Sequence, residues 1–394
     1  MSIFFVKANR NSNIIIVVLL LFTFNTYAQN LTRYVNPFIG TGGHGHTYPG
    51  ATVPFGMVQL SPDNGSEGWD WCSGYNYSDS TIAGFSHLHL SGTGCGDWVD
   101  ISVMPNTGLF PDTGRFFKVK FSHKNEKASP GYYSVKLDNG ISAELTATER
   151  CGFHKYTFPA NCKPVIRFDL GYNINYDEPM ETFIQKIDDS TIVGYRYSKG
   201  WANVQKVYFA ARTSRPFSKI VFSEKKKDNE NGQKGKMVKG QLIFDNAAGQ
   251  TVMMKVALST VNTNKALANL KEIHGWDFNK VRADAEHKWE TELEKIKITT
   301  NDDNLRAVFY TALYHTCMAP VLYSDADGEY KNAKGNVTRM KKGQRYTVFS
   351  LWDTFRGLNP LFTLTQTDRD LDILNSMLAL TLIVLDDKVI FWSQ

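Results

Sequence analysis

The sequence predicts a β + α multidomain chain, with an antiparallel β-sandwich first and α-helices after it. Short runs of alternating apolar and polar residues recur from Leu31 to about Ser259, separated by polar turns. Near Asn262 the apolar spacing changes from two residues to three or four. At 394 residues, with 42% hydrophobic and 21% charged side chains, the chain can bury a sizeable core in more than one domain.

Residues 1–28 are read as a targeting segment rather than as fold. Lys7 and Arg10 precede the apolar run Ile14–Phe24, and Thr26-Tyr27-Ala28 offers a small-x-small cleavage site. The run is short for a membrane span, so export to the periplasm or medium is expected, with no stable membrane span after cleavage. An uncleaved anchor is the alternative. No Cys follows the cleavage site, so lipidation there is not indicated.

The sandwich is assigned to residues 29–261. Its clearest hairpin is "YYSVKLDNGISAELTATE", where Val135 and Leu137 alternate, Asn139-Gly140 turns the chain, and Ile141, Ala143 and Leu145 alternate back. Further strands are read in "HKYTFP", "TIVGYRYS", "KVYFAAR", "KIVFSE", "KGQLIF" and "VMMKVALST". The polar stretch Glu224–Lys236 is expected to be a hairpin tip. Its Lys225–Lys227 run is followed by Asp228 and Glu230, so it reads as a solvated loop rather than a nucleic-acid contact.

A helical linker is assigned to 262–300. It comprises a short helix Lys265–Ile273 ending near Gly275 and an amphipathic helix carrying Phe278, Val281, Ala285, Trp289, Leu293 and Ile296. Residues 301–394 begin a second helical domain. A helix opens at Asp302-Asp303 and stops before Pro320, and another is expected over Asp368–Leu380.

Two sandwich segments are dense in functional side chains. Asn36–Asp63 is a Gly/Pro-rich loop with His44 and His46 at its tip. Gly68–Asp100 holds Trp69, Trp71, Tyr75, Tyr77, His87, His89, Asp97 and Trp98. Asp70, His87, His89 and Asp97 raise a metal site, with both histidines on one strand face, but no third ligand is placed by spacing. Aromatic faces beside carboxylates and hydroxyls suit a sugar better. The five cysteines fit no zinc pattern; buried thiols or one disulfide are both open.

Near the end, "SLWDTFRGLNPL" places Asp353 and Arg356 three residues apart among apolar residues, and on a helix they would share a face. Taken in order, "YVNPFIGTGGHGHTYPGATVPFGMVQLSPD", "GWDWCSGYNYSDSTIAGFSHLHLSGTGCGDWVDI" and "SLWDTFRGLNPL" resemble glycoside hydrolase family 92, the calcium-dependent exo-acting α-mannosidases. The resemblance runs from about Asn30 to Leu380. It implies a β-sandwich, a helical linker and an (α/α)6 toroid, of which this chain holds only an incomplete start. It also implies calcium as cofactor, a mannose-containing glycan as partner, and inversion at the anomeric carbon in a site between the two domains.

By that resemblance Asp353 hydrogen-bonds hydroxyls of the terminal sugar. Arg356 binds the same sugar or orients Asp353, and Trp352 lies in the same segment. Trp69 and the Gly92–Asp97 stretch, with Gly94, Cys95 and Asp97, are the sandwich's expected contribution, facing the same cleft. A buried structural ion pair is the competing reading of Asp353 and Arg356.

An inverting glycosidase needs a general acid and a general base. The resemblance places both, with the principal calcium ligands, downstream of "SLWDTFR", so no catalytic or metal residue is assigned in this chain. After Ile373–Leu380 the text "TLIVLDDKVIFWSQ" departs from the pattern, and a shifted frame or broken gene model near Leu380 is the expected cause. The early helices are then expected to expose Val308, Leu313 and Leu378. A non-catalytic sugar-binding sandwich, using Trp69, Trp71 and Tyr75 as its platform, is the second reading. A structural sandwich with no ligand is the third.

Overall fold

In the computed structural model, which describes residues 30–111, 117–222, 231–245 and 247–386, two antiparallel sheets face one another. The expected leader, including Ile14–Phe24, lies outside the described residues. The larger sheet has ten strands, and its centre is built from the runs read above: Thr191–Lys199, Gln205–Thr213, Thr251–Ser259 and Cys151–Thr157 lie side by side. The smaller sheet has six strands, with Ser102–Asn106, Val165–Asp169 and Lys239–Ile243 at its middle.

The Asn139-Gly140 hairpin forms as its sequence dictates. Tyr132–Leu137 pairs with Ser142–Ala147, and Gly140 takes φ +87°, a left-handed value that costs glycine little. Val135, Leu137, Ile141, Ala143 and Leu145 are all buried. Of the expected polar tip, Glu224–Glu230 falls outside the described residues. Its C-terminal part is not a tip: Gly232–Gly235 is an edge strand paired with Glu178–Asp188. Main-chain pairing extends the sheet there despite poor β propensity.

Helix α1 (Thr263–Asn269) is capped by the Asn262 side chain and runs into a 3-10 turn, Leu270–Glu272, that ends ahead of Gly275. Helix α2 (Phe278–Leu293) is capped by Asp277 and buries Phe278, Val281, Ala285, Trp289 and Leu293 of the predicted stripe, while Ile296 lies beyond its end. Helix α3 (Asp303–Thr316) is capped by Asp302, which accepts from Asn304 N and Leu305 N. Three further helices follow: α4 (Leu351–Thr354), α5 (Leu358–Thr365) and α6 (Thr367–Asp386). The two small two-stranded sheets between α3 and α4, Val321–Leu322 with Tyr346–Thr347 and Glu329–Lys331 with Val337–Arg339, were not predicted. Two- and three-residue strands are too short to show a period.

The helices share the sandwich core rather than forming a separate one. Trp289, Leu293, Tyr310, Tyr314, Phe362 and Ile373 join the same buried cluster as Phe55, Leu60 and Phe85. Polar bonds reinforce the junction. Trp289 Nε1 donates to Thr52 O at 2.7 Å, and Glu290 accepts from Leu31 N and Thr32 N at 2.7 and 2.9 Å. Phe55 N donates to Cys317 O at 2.7 Å, and Phe55 O accepts from Leu322 N.

The expected exposure of the early helices is corrected at one position. Val308 and Leu378 are exposed, but Leu313 is buried, because it faces the sandwich side of α3 beside Tyr310 and Tyr314.

Candidate functional site

The Gly68–Asp100 segment becomes an ordered surface around one ring. Trp69 opens a 3-10 turn, Trp69–Trp71, and stays 60% exposed. Its ring lies directly over Gly94: a Cβ at residue 94 would stand 1.9 Å from the indole, so any larger residue would displace the ring from this position. The His46 ring meets Trp69 edge-on at 4.7 Å, and His46 O accepts from Gly92 N at 2.7 Å. Burial lowers the His46 pKa, which keeps this imidazole neutral near pH 7. His44 instead reaches Asp70, Nδ1 to Oδ1 at 2.7 Å, on the exposed side of the loop.

Asp97 holds a loop. Its Oδ1 accepts from Trp201 N and its Oδ2 from Ala202 N, each at 3.1 Å, and the side chain is buried. Burial raises its pKa, and the two amides work against that rise. The Cys95 thiol is pushed up to about 12, first by burial and then by the neighbouring Asp97 carboxylate, so it is not a nucleophile near neutral pH. All five cysteines are free thiols rather than partners in a disulfide; Cys72, Cys151 and Cys317 are buried, and Cys95 and Cys162 are half-buried.

Beneath this surface lies a group that sequence reading missed. Arg196 is fully buried and donates through Nη1 to Asp100 Oδ1 at 2.7 Å, through Nη2 to Asp177, and to the carbonyls of Leu170 and Tyr172. Burial opposes its charge, but the two carboxylates outweigh burial and raise its pKa. Gln205 bonds the remaining oxygen of Asp100. A signal was available: Arg196 sits in phase with Ile192 and Gly194, on the inward face of its strand. A buried cation there requires partners.

The metal reading is corrected. The strand ends at Ser86, before either histidine, and the two imidazoles enter separate buried networks. His87 Nδ1 contacts Ile101 O at 2.7 Å and its Nε2 contacts His154 Nε2 at 2.9 Å, while His154 Nδ1 meets Tyr156 Oη at 2.7 Å. A carbonyl only accepts, so His87 donates from Nδ1. With both rings neutral, His154 donates to His87 and Tyr156 donates to His154. His89 binds Gln59 O and Asp63, both at 2.7–2.8 Å. Among the described residues no group of three or more His, Cys, Asp or Glu side chains is placed to hold a metal ion.

The proposed platform is also corrected. Tyr75 is fully buried, and its hydroxyl, with that of Tyr133, donates to the Glu126 carboxylate. Trp71 Nε1 donates to Asp79 Oδ2 at 2.8 Å. Of the three platform residues, only Trp69 presents most of its surface to solvent.

At the other end of the chain the local geometry differs from expectation. Helix α4 stops at Thr354, so Arg356 lies beyond it and shares no helix face with Asp353. Among the described residues no ion pair joins them. Asp353 accepts from Ser350 Oγ, and the Arg356 guanidinium lies 5.2 Å from the Phe355 ring. The segment is open, against the competing reading of a buried ion pair: Trp352 is 59% exposed, with Leu351 and Phe355 also exposed. No hydrogen bond, ion pair or ring contact links Asp353, Arg356 or Trp352 to Gly92–Asp97 among the described residues.

Comparison with known proteins defines the class. Residues 34–259 match the glycosyl hydrolase family 92 N-terminal domain, and residues 265–382 match the glycosyl hydrolase family 92 catalytic domain. The chain belongs to glycosyl hydrolase family 92. It is similar to the family GH92 α-mannosidase BT3965 of Bacteroides thetaiotaomicron, solved in complex with mannoimidazole. That match has 38% identity and a TM-score of 0.86, and it covers 92% of this chain and 49% of that one. It is also similar to the inverting mannosidase BT2199 of the same organism, at 29% identity and TM-score 0.72, covering 84% and 46%. A protein of Arthroderma benhamiae described as an uncharacterized secreted glycosidase is 30% identical over 347 residues, 76% of this chain and 43% of its own length. The chain thus spans about half the length of these relatives. Among the described residues no helix is long and apolar enough to cross a membrane.

Proposed function

We propose that this chain is the sandwich and first helices of an exported, inverting, exo-acting α-mannosidase directed at α-1,2-linked mannose of N-glycans or mannans. The observation that supports it most is the exposed Trp69 ring seated on Gly94, in a chain whose fold follows that of an α-mannosidase holding mannoimidazole. An indole face stacks on the C–H face of a sugar, and the glycine beneath leaves room for the ring in this position. Asp353 is the proposed acceptor of sugar hydroxyls, with Arg356 and Trp352 beside it. Gly94, Cys95 and Asp97 shape the sandwich wall.

The family resemblance brings an expectation of calcium. The residues present do not fit such an ion, since the described carboxylates and imidazoles form no cage, and no step is derived through it.

We further propose that the chain by itself does not release mannose at a useful rate. Among the described residues Asp353 bonds Ser350 and Asp97 is held by the amides of Trp201 and Ala202, so neither carboxylate is paired as an acid and base across a reacting bond. Each of those roles is worth ~10²–10⁴-fold in rate. The test is mannose release from α-1,2-mannobiose with added calcium, beside a full-length family 92 mannosidase. A rate comparable to that control would overturn the proposal. Sugar binding without hydrolysis under all conditions, in longer forms of the chain too, would favour a binding sandwich instead.

A further inference from the structure

Beside Trp69 the surface continues as two more exposed rings, Tyr176 at 49% and Trp201 at 42% exposure. They lie 6.3 Å apart with their planes 37° from parallel. None of the sequence motifs points to them, and they come from different elements: Tyr176 precedes the strand Glu178–Asp188, and Trp201 sits in the turn after Thr191–Lys199.

Two side chains lock all three rings into one strip. The Asn175 amide spans the backbone of Gly68, accepting from its N–H at 2.8 Å and donating to its carbonyl at 3.3 Å, immediately before Trp69. The next residue, Tyr176, accepts from Gly96 N at its hydroxyl, at 3.3 Å. Asp97 then holds the turn that carries Trp201 through its two amide contacts. Gly200 admits that carboxylate, because a Cβ there would lie 2.1 Å from Asp97 Oδ1. Gly96 likewise admits Asn175, at 2.3 Å.

We propose that Tyr176 and Trp201 form a second sugar-stacking position that takes the residues following the terminal mannose in an oligosaccharide. This rests on the mannose reading above. The chemistry favours a glycan over a protein. The rings are pre-positioned, so stacking costs little conformational entropy. The exposed parts of three aromatic side chains come to a few hundred Å² at about 150–250 Å² for a whole ring side chain. That is below the ~800 Å² per partner of a stable protein interface. Asp97 thereby acts as a positioning residue for Trp201.

The test uses the full chain and three probes: methyl α-mannoside, α-1,2-mannobiose and α-1,2-mannotriose, titrated calorimetrically. The wild type should bind the trisaccharide more tightly than the monosaccharide. Trp201→Ala should weaken the trisaccharide about fivefold to tenfold and leave the monosaccharide unchanged, as expected for one lost stacking contact. Trp201→Phe should restore most of the affinity, and an unchanged melting temperature should show that Trp201→Ala is folded. If the monosaccharide binds but the longer sugars gain nothing, or if Trp201→Ala weakens all three alike, the extension is overturned while the mannose reading stands. If none of the three binds, the mannose reading falls and takes the extension with it.

Discussion

The sandwich and the C-terminal helices bury their apolar residues to very different degrees. In the sandwich the inward residues of both sheets are sealed: Phe85, Tyr133, Phe168 and Phe209 have essentially no exposed surface. In the helices one face is covered by the sandwich, through Tyr310, Leu313, Phe362 and Ile373, and the other is open. Leu364 is 79% exposed, and Leu371, Leu378, Trp352 and Phe355 are each exposed by more than half. A cleft of about 400 Å³ between α5 and α6 is lined by Phe355, Pro360, Ile373, Leu374 and Met377. A sheet pair closes its own core, whereas a helix layer needs a further layer to cover it.

Breaking the sandwich's buried charge network should have the largest effect on this contrast. Arg196→Ala leaves Asp100 and Asp177 buried without their cation, and about 3–5 kcal/mol of stability should be lost. Urea unfolding followed by circular dichroism would read this, and a loss below 1 kcal/mol would mean the network is not holding the fold.

The seam between the regions comes next. Trp289→Phe keeps a ring against Tyr314 but removes the bond to Thr52 O, at a cost of about 1–2 kcal/mol. Limited proteolysis should then cut the helices away earlier than in the wild type, with the sandwich surviving. Simultaneous degradation of both parts would contradict a seam that can open by itself.

Acid should probe the sandwich core. Burial lowers the His87 pKa to about 4, so the folded state holds this ring neutral where the unfolded chain would charge it. Its contribution is fully present above pH 6.5 and is lost as pH falls from 6.5 toward 4, with the unfolded state binding the extra proton. Asp325, raised to about 6 by burial, has the opposite sign: its contribution is lost as pH rises from 3.8 through 6. The two are separable by NMR. The His87 ring resonances should not titrate between pH 7.5 and 5.5, and a midpoint near 6.5 would refute the neutral wire through His154 and Tyr156.

The smallest effect is expected on the open helix face. Leu371→Glu should change the stability of this chain by no more than about 0.5 kcal/mol, because the side chain already stands in water. It should also reduce self-association at high concentration, which sedimentation would detect. A large loss of stability would mean that this face is covered after all.

The hairpin at Asn139-Gly140, most of the α2 stripe and the helix start at Asp302-Asp303 were legible in the sequence, whereas the caps Asn262 and Asp277 were found only in the structure. Each is set by neighbours within a few residues, through a turn conformation, a 3.6-residue period or a side chain bonding the first free amides. The Trp69 and Gly92–Asp97 segments stood out in the sequence for the same reason, since glycine and aromatic density is local. What each side chain does there was not. Whether His87 meets a metal or His154, whether Tyr75 faces a sugar or Glu126, and whether Asp97 faces the surface or the Trp201 turn depend on residues 51 to 105 positions away. Hydrogen bonds over such separations exist only once the two sheets have packed, so tertiary structure alone decided them, together with the strip that joins Trp69, Tyr176 and Trp201.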